Sequence, residues 1–194
     1  MASHPAVGTA DFELTMPELR EVARFVVLHA QDVLAVYEQA VPADEGPRAA
    51  LAAAWAFAEG ARRTAWQRTA SVQAHRSARS APSEVARLAA RCAGDAAAAA
   101  YLHPIARATQ VGHILRAAAS AARIAEVQAG EDPAAADAAL GRSRQRATPV
   151  LLDVLGRYPA APAGRDRVAR LMCTLDRTLR ERVDVVDSAS ERPA

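Results

Sequence analysis

The stretch TMPELREVARFVVLHAQDVLAVYEQA, residues 15–40, carries the signals that decide the fold. Thr15 followed by Glu18 forms a capping box, in which each side chain accepts a hydrogen bond from the backbone N–H of the other residue. Pro17 fits the first turn, because its missing N–H would have had no helical partner there. The apolar stripe that follows has helical spacing and consists of Val22, Val26, Val33 and Tyr37. These signals predict one amphipathic helix over about residues 16–40.

Prolines, glycines and capping residues divide the rest of the chain into further helices. The predicted helices cover about residues 47–59, 62–79, 83–101, 104–129 and 133–146, a short segment from 149, and 165–184. No segment alternates in the way that a strand would. We therefore predict an all-α fold, a compact single-domain bundle of seven or eight helices over residues 15–185, with disordered tails at 1–14 and 186–194.

The composition favours helices and excludes several classes of protein. Alanine accounts for 51 of the 194 residues, and alanine is the best helix former and a poor strand former. The 24 arginines are offset by 22 acids interleaved with them, so that the net charge is only +2. Nucleic-acid binding needs a clustered basic face, and we therefore expect no nucleic-acid partner.

The chain shows no targeting, membrane or metal signal. Its first residues lack a signal peptide, and no uncharged apolar run approaches the roughly 20 residues that span a bilayer. We expect a cytoplasmic protein without a membrane partner, and the absence of Lys and Asn indicates a GC-rich bacterial gene. Cys92 and Cys173 have no CxxC spacing and are expected to behave as small hydrophobes on helix faces. No metal or other cofactor is expected.

Histidines are the first candidates for chemistry. His29 lies on the apolar stripe of the first helix, which favours a hydrogen-bonded core residue over a catalytic one. His103 precedes Pro104 at a break between helices, where it either caps a helix end or points into a cleft. His113 belongs to a polar stripe that we interpret as a solvated helix face, with the wall of a polar pocket as the alternative. The stripe consists of Thr109, His113, Arg116, Ser120 and Arg123.

Other polar and aromatic residues have simple structural interpretations. His75 ends the third helix beside two arginines, where cations complement the helix dipole. Asp95 follows Arg91 by four residues, which favours a surface ion pair worth less than about 1 kcal/mol. Trp55 and Trp66 are interpreted as core residues in preference to ligand-stacking residues.

Familiar catalytic motifs are missing. The sequence has no phosphate-binding GxxxxGK loop, no HExxH zinc motif and no GxSxG nucleophile elbow. It also lacks the paired Glu-x-x-His motifs of di-iron bundles. These absences favour a binding protein over an enzyme.

A series of short segments resembles one known family. They are VLAVYE at 33–38, PAD at 42–44, GPRAAL at 46–51, AFAEG at 56–60, AHRSAR at 74–79 and AARCAG at 89–94. In this order they are similar to the Imm-5-like family of small all-helical immunity proteins, over residues 20–125. The resemblance implies an all-α fold and a role in neutralising a cognate bacterial toxin by binding it.

Two functional hypotheses follow. In the first, the chain is an immunity-type protein whose partner is a toxin. In the second, it binds or converts a small molecule in a cleft at the Pro104 break, with histidine as general acid and base. The second hypothesis assigns catalysis to Tyr101, His103, His113 and His75, and ligand binding to Trp55, Trp66, Gln110 and Arg107. Homo-oligomerisation through alanine-faced helices is a further expectation.

Overall fold

A computed structural model describes residues 12–190, and for residues 183–190 it describes the backbone alone. The helices are α1 Met16–Ala40, α2 Gly46–Ala58, α3 Ala65–Arg79, α4 Glu84–Ala98, α5 Val111–Gln128, α6 Pro133–Arg146, α7 Pro149–Gly156 and α8 Arg167–Ser190. Two short 3-10 helices, Ala99–Tyr101 and Ala108–Gln110, lie on either side of Pro104. Residues 12–190 contain no β-strand, and the predicted bundle of seven or eight helices is confirmed.

The predicted capping box at the start of α1 is present, and it ties α1 to another helix. Thr15 and Glu18 exchange hydrogen bonds between side chain and backbone. The Glu18 carboxylate also accepts a hydrogen bond from Arg157, which follows α7. This bond to Arg157, together with the capping bonds, lowers the pKa of Glu18 to about 2. The N-terminus of α1 and the end of α7 are therefore joined by a charge-assisted contact.

The two largest differences between predicted and observed helix boundaries are at the start of α5 and the end of α8. The helix predicted to start at Pro104 begins only at Val111, since residues 102–107 are not helical and the Pro104 carbonyl accepts a hydrogen bond from Phe12 N–H at 3.2 Å. The residue before a proline disfavours the helical region, which is consistent with the non-helical chain at His103. The last helix continues to Ser190, because the first strong helix breaker after it is Pro193.

The predicted tails are described only in part. Of residues 1–14, the structure describes 12–14, and Phe12 packs edge-on against Tyr158 with ring centroids 4.8 Å apart. Residues 1–11 and 191–194 lie outside the described residues. None of the helices in the described part of the chain is both long and apolar enough to cross a membrane.

Helix α4 is the centre of the bundle and packs against α1, α2, α3 and α5. Apart from an exposed stripe that carries Arg87 and Arg91, most of its surface is buried. Its buried residues are Ala86, Leu88, Ala89, Ala90, Cys92, Ala93, Gly94, Asp95, Ala96 and Ala97. Small side chains allow neighbouring helix axes to approach the short end of the usual range of about 8–10 Å. The alanine content therefore permits a helix to be surrounded by others.

His29 is the core histidine that the α1 stripe predicts. It is 3% exposed, its Nδ1 donates to the Phe25 carbonyl at 2.7 Å, and its Nε2 lies 2.9 Å from Ser143 Oγ on α6. Burial lowers the pKa of His29 to about 4, so the ring is neutral at neutral pH. The His29 ring therefore has a structural role and links α1 to α6.

We expect Ala96→Leu to lower the free energy of unfolding by about 1–3 kcal/mol, because Ala96 is fully buried and added methylenes overpack the centre of α4. The matched control is Ala138→Leu at an exposed position of α6, which should change stability by less than about 0.5 kcal/mol. Urea unfolding measures both. Equal effects of the two variants would contradict the close packing of α4.

Candidate functional site

Asp95 lies in the middle of α4, and its side chain is only 2% exposed. The sequence interpretation of a surface pair with Arg91 is wrong. Position 95 falls three residues after Cys92, whose thiol faces α5 and contacts the Ala117 carbonyl at 3.5 Å. Asp95 therefore shares the face of α4 that is turned toward α5, whereas Arg91 is exposed.

Arg116 of α5 binds the buried carboxylate through two hydrogen bonds. Its Nε donates to Asp95 Oδ2 at 2.8 Å, and its Nη2 donates to Oδ1 at 2.6 Å. These bonds raise the pKa of Arg116. The two ends of the pair are buried unequally, because the Arg116 side chain is 32% exposed and reaches solvent beside α4. A buried carboxylate requires such a partner, since leaving it alone costs several kcal/mol (about 3–5 in known cases).

His75 of α3 completes the cluster from the other side of α4. Its Nε2 lies 3.6 Å from Asp95 Oδ1, and its ring rests on Gly94, where a Cβ would come within 2.8 Å of the ring. Burial lowers the pKa of His75 below its usual value, and nearby arginines lower it further, against the opposing attraction of Asp95. His75 is thus a neutral, inward-turned ring and does more than complement the end of the α3 dipole.

His113 lies one turn before Arg116 on α5. Burial lowers the pKa of His113, and its Nδ1 is buried with no hydrogen-bond partner among the described residues. The polar stripe that contains His113 was interpreted as a solvated face, and this is wrong. Ser120 of the stripe is buried, and the arginines of the stripe point to carboxylates on neighbouring elements. The stripe forms a helix–helix contact because Arg116 and Arg123 both pair with carboxylates of α4, namely Asp95 and Glu84.

A second ion-pair network fixes α8 against α4 and α5. Arg123 contacts the carboxylates of Glu84, Glu126 and Glu131, and Arg167 of α8 contacts Glu126 at 2.5 Å. The Glu126 side chain is almost fully buried, and hydrogen bonding to Arg167 lowers its pKa. These two arginines and three glutamates pair with one another and join the last helix to α4 and α5.

The residues around the Pro104 break form a separate group. The Tyr101 hydroxyl donates to the Thr64 carbonyl at 2.6 Å, and Arg63 and Arg68 stack on the Tyr101 ring. His103 is exposed and lines an open cavity together with Tyr101. Gln110 Oε1 accepts a long hydrogen bond (3.4 Å) from the His103 backbone, and Arg107 is exposed. No hydrogen bond links these side chains to His75 or His113 in the described structure.

The tryptophans lie apart from both groups. Trp55 is half-buried on α2, and its Nε1 donates to Gln31 Oε1 at 2.7 Å, with Arg24 over the ring. Trp66 is 47% exposed on the first turn of α3, so its assignment to the core is wrong. Trp66 is the second residue of α3, and at this end of the helix its side chain is left partly uncovered by other elements.

The described residues offer little for covalent or metal chemistry. Burial raises the pKa of the Cys92 thiol, which keeps it protonated and unreactive. No three His, Cys, Asp or Glu side chains of the described residues come together as metal ligands. The buried Asp95 carboxylate is hydrogen-bonded to Arg116 and does not lie in an open cleft where it could act as a general base. The candidate functional site is thus the Asp95–Arg116–His75 cluster with the exposed arginines that surround it.

The sequence contained one unused signal for this cluster. Residues 92, 95 and 99 have helical spacing, and the stretch around Asp95 is otherwise nearly all alanine. A lone carboxylate on an apolar stripe predicts a buried ion pair. Its partner on α5 was not predictable, because choosing Arg116 over the other arginines requires knowing how α4 and α5 cross.

Comparison with known proteins identifies the family. A family model described as "Imm-5 like putative immunity protein" matches residues 13–147. The chain belongs to this family. The match contains the span of the resemblance noted from the sequence and covers α1 to α6, including the whole Asp95–Arg116–His75 cluster. Searches of curated proteins and of solved structures gave no significant match.

Gly94→Ala tests the position of His75 in this Imm-5-like protein. The new Cβ would lie within 2.8 Å of the imidazole, so the ring must move toward solvent. We expect the pKa of His75 to rise toward its usual 6.5 as the burial is relieved, as followed by NMR titration of its ring protons.

Gly141→Ala on α6 is the matched control. Its Cβ would meet its nearest neighbour, Arg144 Nη2, at an ordinary 3.7 Å, and it should leave His75 unchanged. A His75 pKa that does not move in Gly94→Ala would contradict the packing described.

Proposed function

We propose that this chain is an immunity protein that neutralises a cognate bacterial toxin by direct protein–protein contact. The observation that carries the proposal is the family match over residues 13–147. That match includes six of the eight helices and every residue of the Asp95–Arg116–His75 cluster. The toxin itself belongs to the proposal, since the family description states immunity and names no partner.

The distribution of polar groups supports a protein that acts by binding its partner over one that acts as an enzyme. The side chains proposed for catalysis form no hydrogen bonds with one another in the described structure, since Tyr101 donates to Thr64 and His75 contacts Asp95. The Trp55 indole N–H is hydrogen-bonded to Gln31 on α1. An enzyme would require an acid or base beside a substrate-sized cleft with mutually oriented groups, and this arrangement does not supply them.

The rigidity of the helices also suits a binding role. A preorganised surface binds with a smaller loss of conformational entropy than a flexible one. Here α3, α4 and α5 are joined by the buried cluster, and α8 is joined to them by Arg167 and Glu126. The helices that carry the exposed arginines are therefore held in place relative to one another, which favours electrostatic selection of a partner.

The stoichiometry of protection tests the proposal. The toxin encoded beside this gene is assayed with increasing amounts of the purified chain. Neutralisation by contact should reach completion near one chain per toxin and should be incomplete at a roughly tenfold deficit, by mass action. Toxin recovered from the complex after denaturing separation should be chemically unchanged by mass spectrometry and active after refolding.

An unrelated helical protein of equal size serves as the control and should give no protection. Full protection at the tenfold deficit, or a covalently altered toxin, would contradict neutralisation by contact and favour catalysis. Failure to protect against any toxin encoded beside the gene would overturn the proposed function.

A further inference from the structure

An open cavity lies between the end of α3 and the first half of α4. We call it the arginine cavity; its lining residues are Val72, His75, Ala78, Arg79, Arg87 and Arg91, and its volume is about 470 Å³. No carboxylate is among them. Three cations without an anion beside them repel one another, so the lining of this cavity lacks a negatively charged partner.

The arginines of this cavity differ from those of α5 and of the start of α8. Arg79, Arg87 and Arg91 are exposed and form no ion pair with any described side chain, whereas Arg116, Arg123 and Arg167 are all bound by carboxylates. Arg87 and Arg91 also border a neighbouring cavity that does contain acids. Those acids are engaged, because Glu84 is bound by Arg123 and Asp166 caps α8.

The frame of the cavity is fixed by the buried cluster. Arg87 and Arg91 are one turn apart on α4, and Arg79 comes from the last turn of α3. The contact of His75 with Gly94 and Asp95 joins these two helices at the cavity wall. The three guanidinium groups therefore converge from two helices whose relative position is set by packing.

We propose that the arginine cavity receives the carboxylate side chains of an acidic segment on the partner protein. Guanidinium groups bind carboxylates through paired hydrogen bonds, and such pairs at a surface give both steering and specificity. Val72, 46% exposed at the same cavity, favours a segment in which an apolar residue adjoins the Asp or Glu residues. The inference rests on the proposed function, in which that partner is the toxin.

Charge reversal tests the inference in the full chain. Arg87→Glu/Arg91→Glu should weaken toxin binding at least tenfold in calorimetry at about 0.05 M salt, and should reduce the difference between low and high salt. Arg142→Glu/Arg144→Glu on α6 changes the net charge equally at exposed positions without described ion pairs, and it should bind as the wild type does. Arg87→Gln/Arg91→Gln gives the same test without added negative charge, should the reversal variant fail to fold.

A second measurement separates this inference from the proposed function. NMR titration with a hexaglutamate peptide should shift amide signals of α3 and α4 around Arg79, Arg87 and Arg91 in the wild type and in the α6 variant. The Arg87/Arg91 variants should lose these shifts. This result would support the cavity as a carboxylate site even if no neighbouring toxin were neutralised.

Three results would overturn the inference. The first is toxin binding that is unchanged in the Arg87/Arg91 variants and weakened in the α6 variant, which would keep the immunity function but move its surface. The second is inorganic phosphate binding at the arginine cavity as tightly as hexaglutamate or more tightly, which would assign the cavity to a small anion and not to a protein segment. Absence of any hexaglutamate shift would likewise refute a carboxylate site.

Discussion

A carboxylate buried between helices requires a cation as its partner, and Asp95 is such a carboxylate at the centre of the bundle. Asp95 lies on α4, which is in contact with four other helices and whose remaining buried side chains are almost all small. Arg116 satisfies the carboxylate from α5, and the His75 ring approaches it from α3. One buried charge thereby specifies how three helices sit against one another, in a core that alanine alone would leave poorly specified.

The same interaction connects the interior to the surface. Arg116 extends from the buried carboxylate to solvent, and His75 forms part of the wall of the arginine cavity. The position of the unpaired arginines therefore depends on packing inside the bundle. Under the proposed function, this coupling would hold an electropositive surface in position for the partner protein.

Much of the fold was predictable from local signals, because capping boxes and prolines act within a few residues. Thr15 with Glu18 and Asp132 with Pro133 mark the true helix starts. The start of α5 was not predictable, since the non-helical chain at Pro104 is hydrogen-bonded to Phe12 from a distant part of the sequence. The candidate site was missed for a similar reason. The spacing of Asp95, Arg91 and Arg87 on one helix suggested a surface pair, and only the crossing of α4 with α5 shows that Arg116 is the partner.

The unequal burial of Asp95 and Arg116 leads to the most direct test of their role in organising the bundle. Urea unfolding is compared for Arg116→Met, Asp95→Asn and the double variant. Arg116→Met strands a carboxylate that is 2% exposed, and we expect it to be the least stable, by about 3–5 kcal/mol. Asp95→Asn leaves a guanidinium that can turn to solvent, and the double variant should recover stability relative to Arg116→Met. A double variant whose loss equals the sum of the two single losses would contradict the claim that Asp95 and Arg116 organise the bundle as a pair.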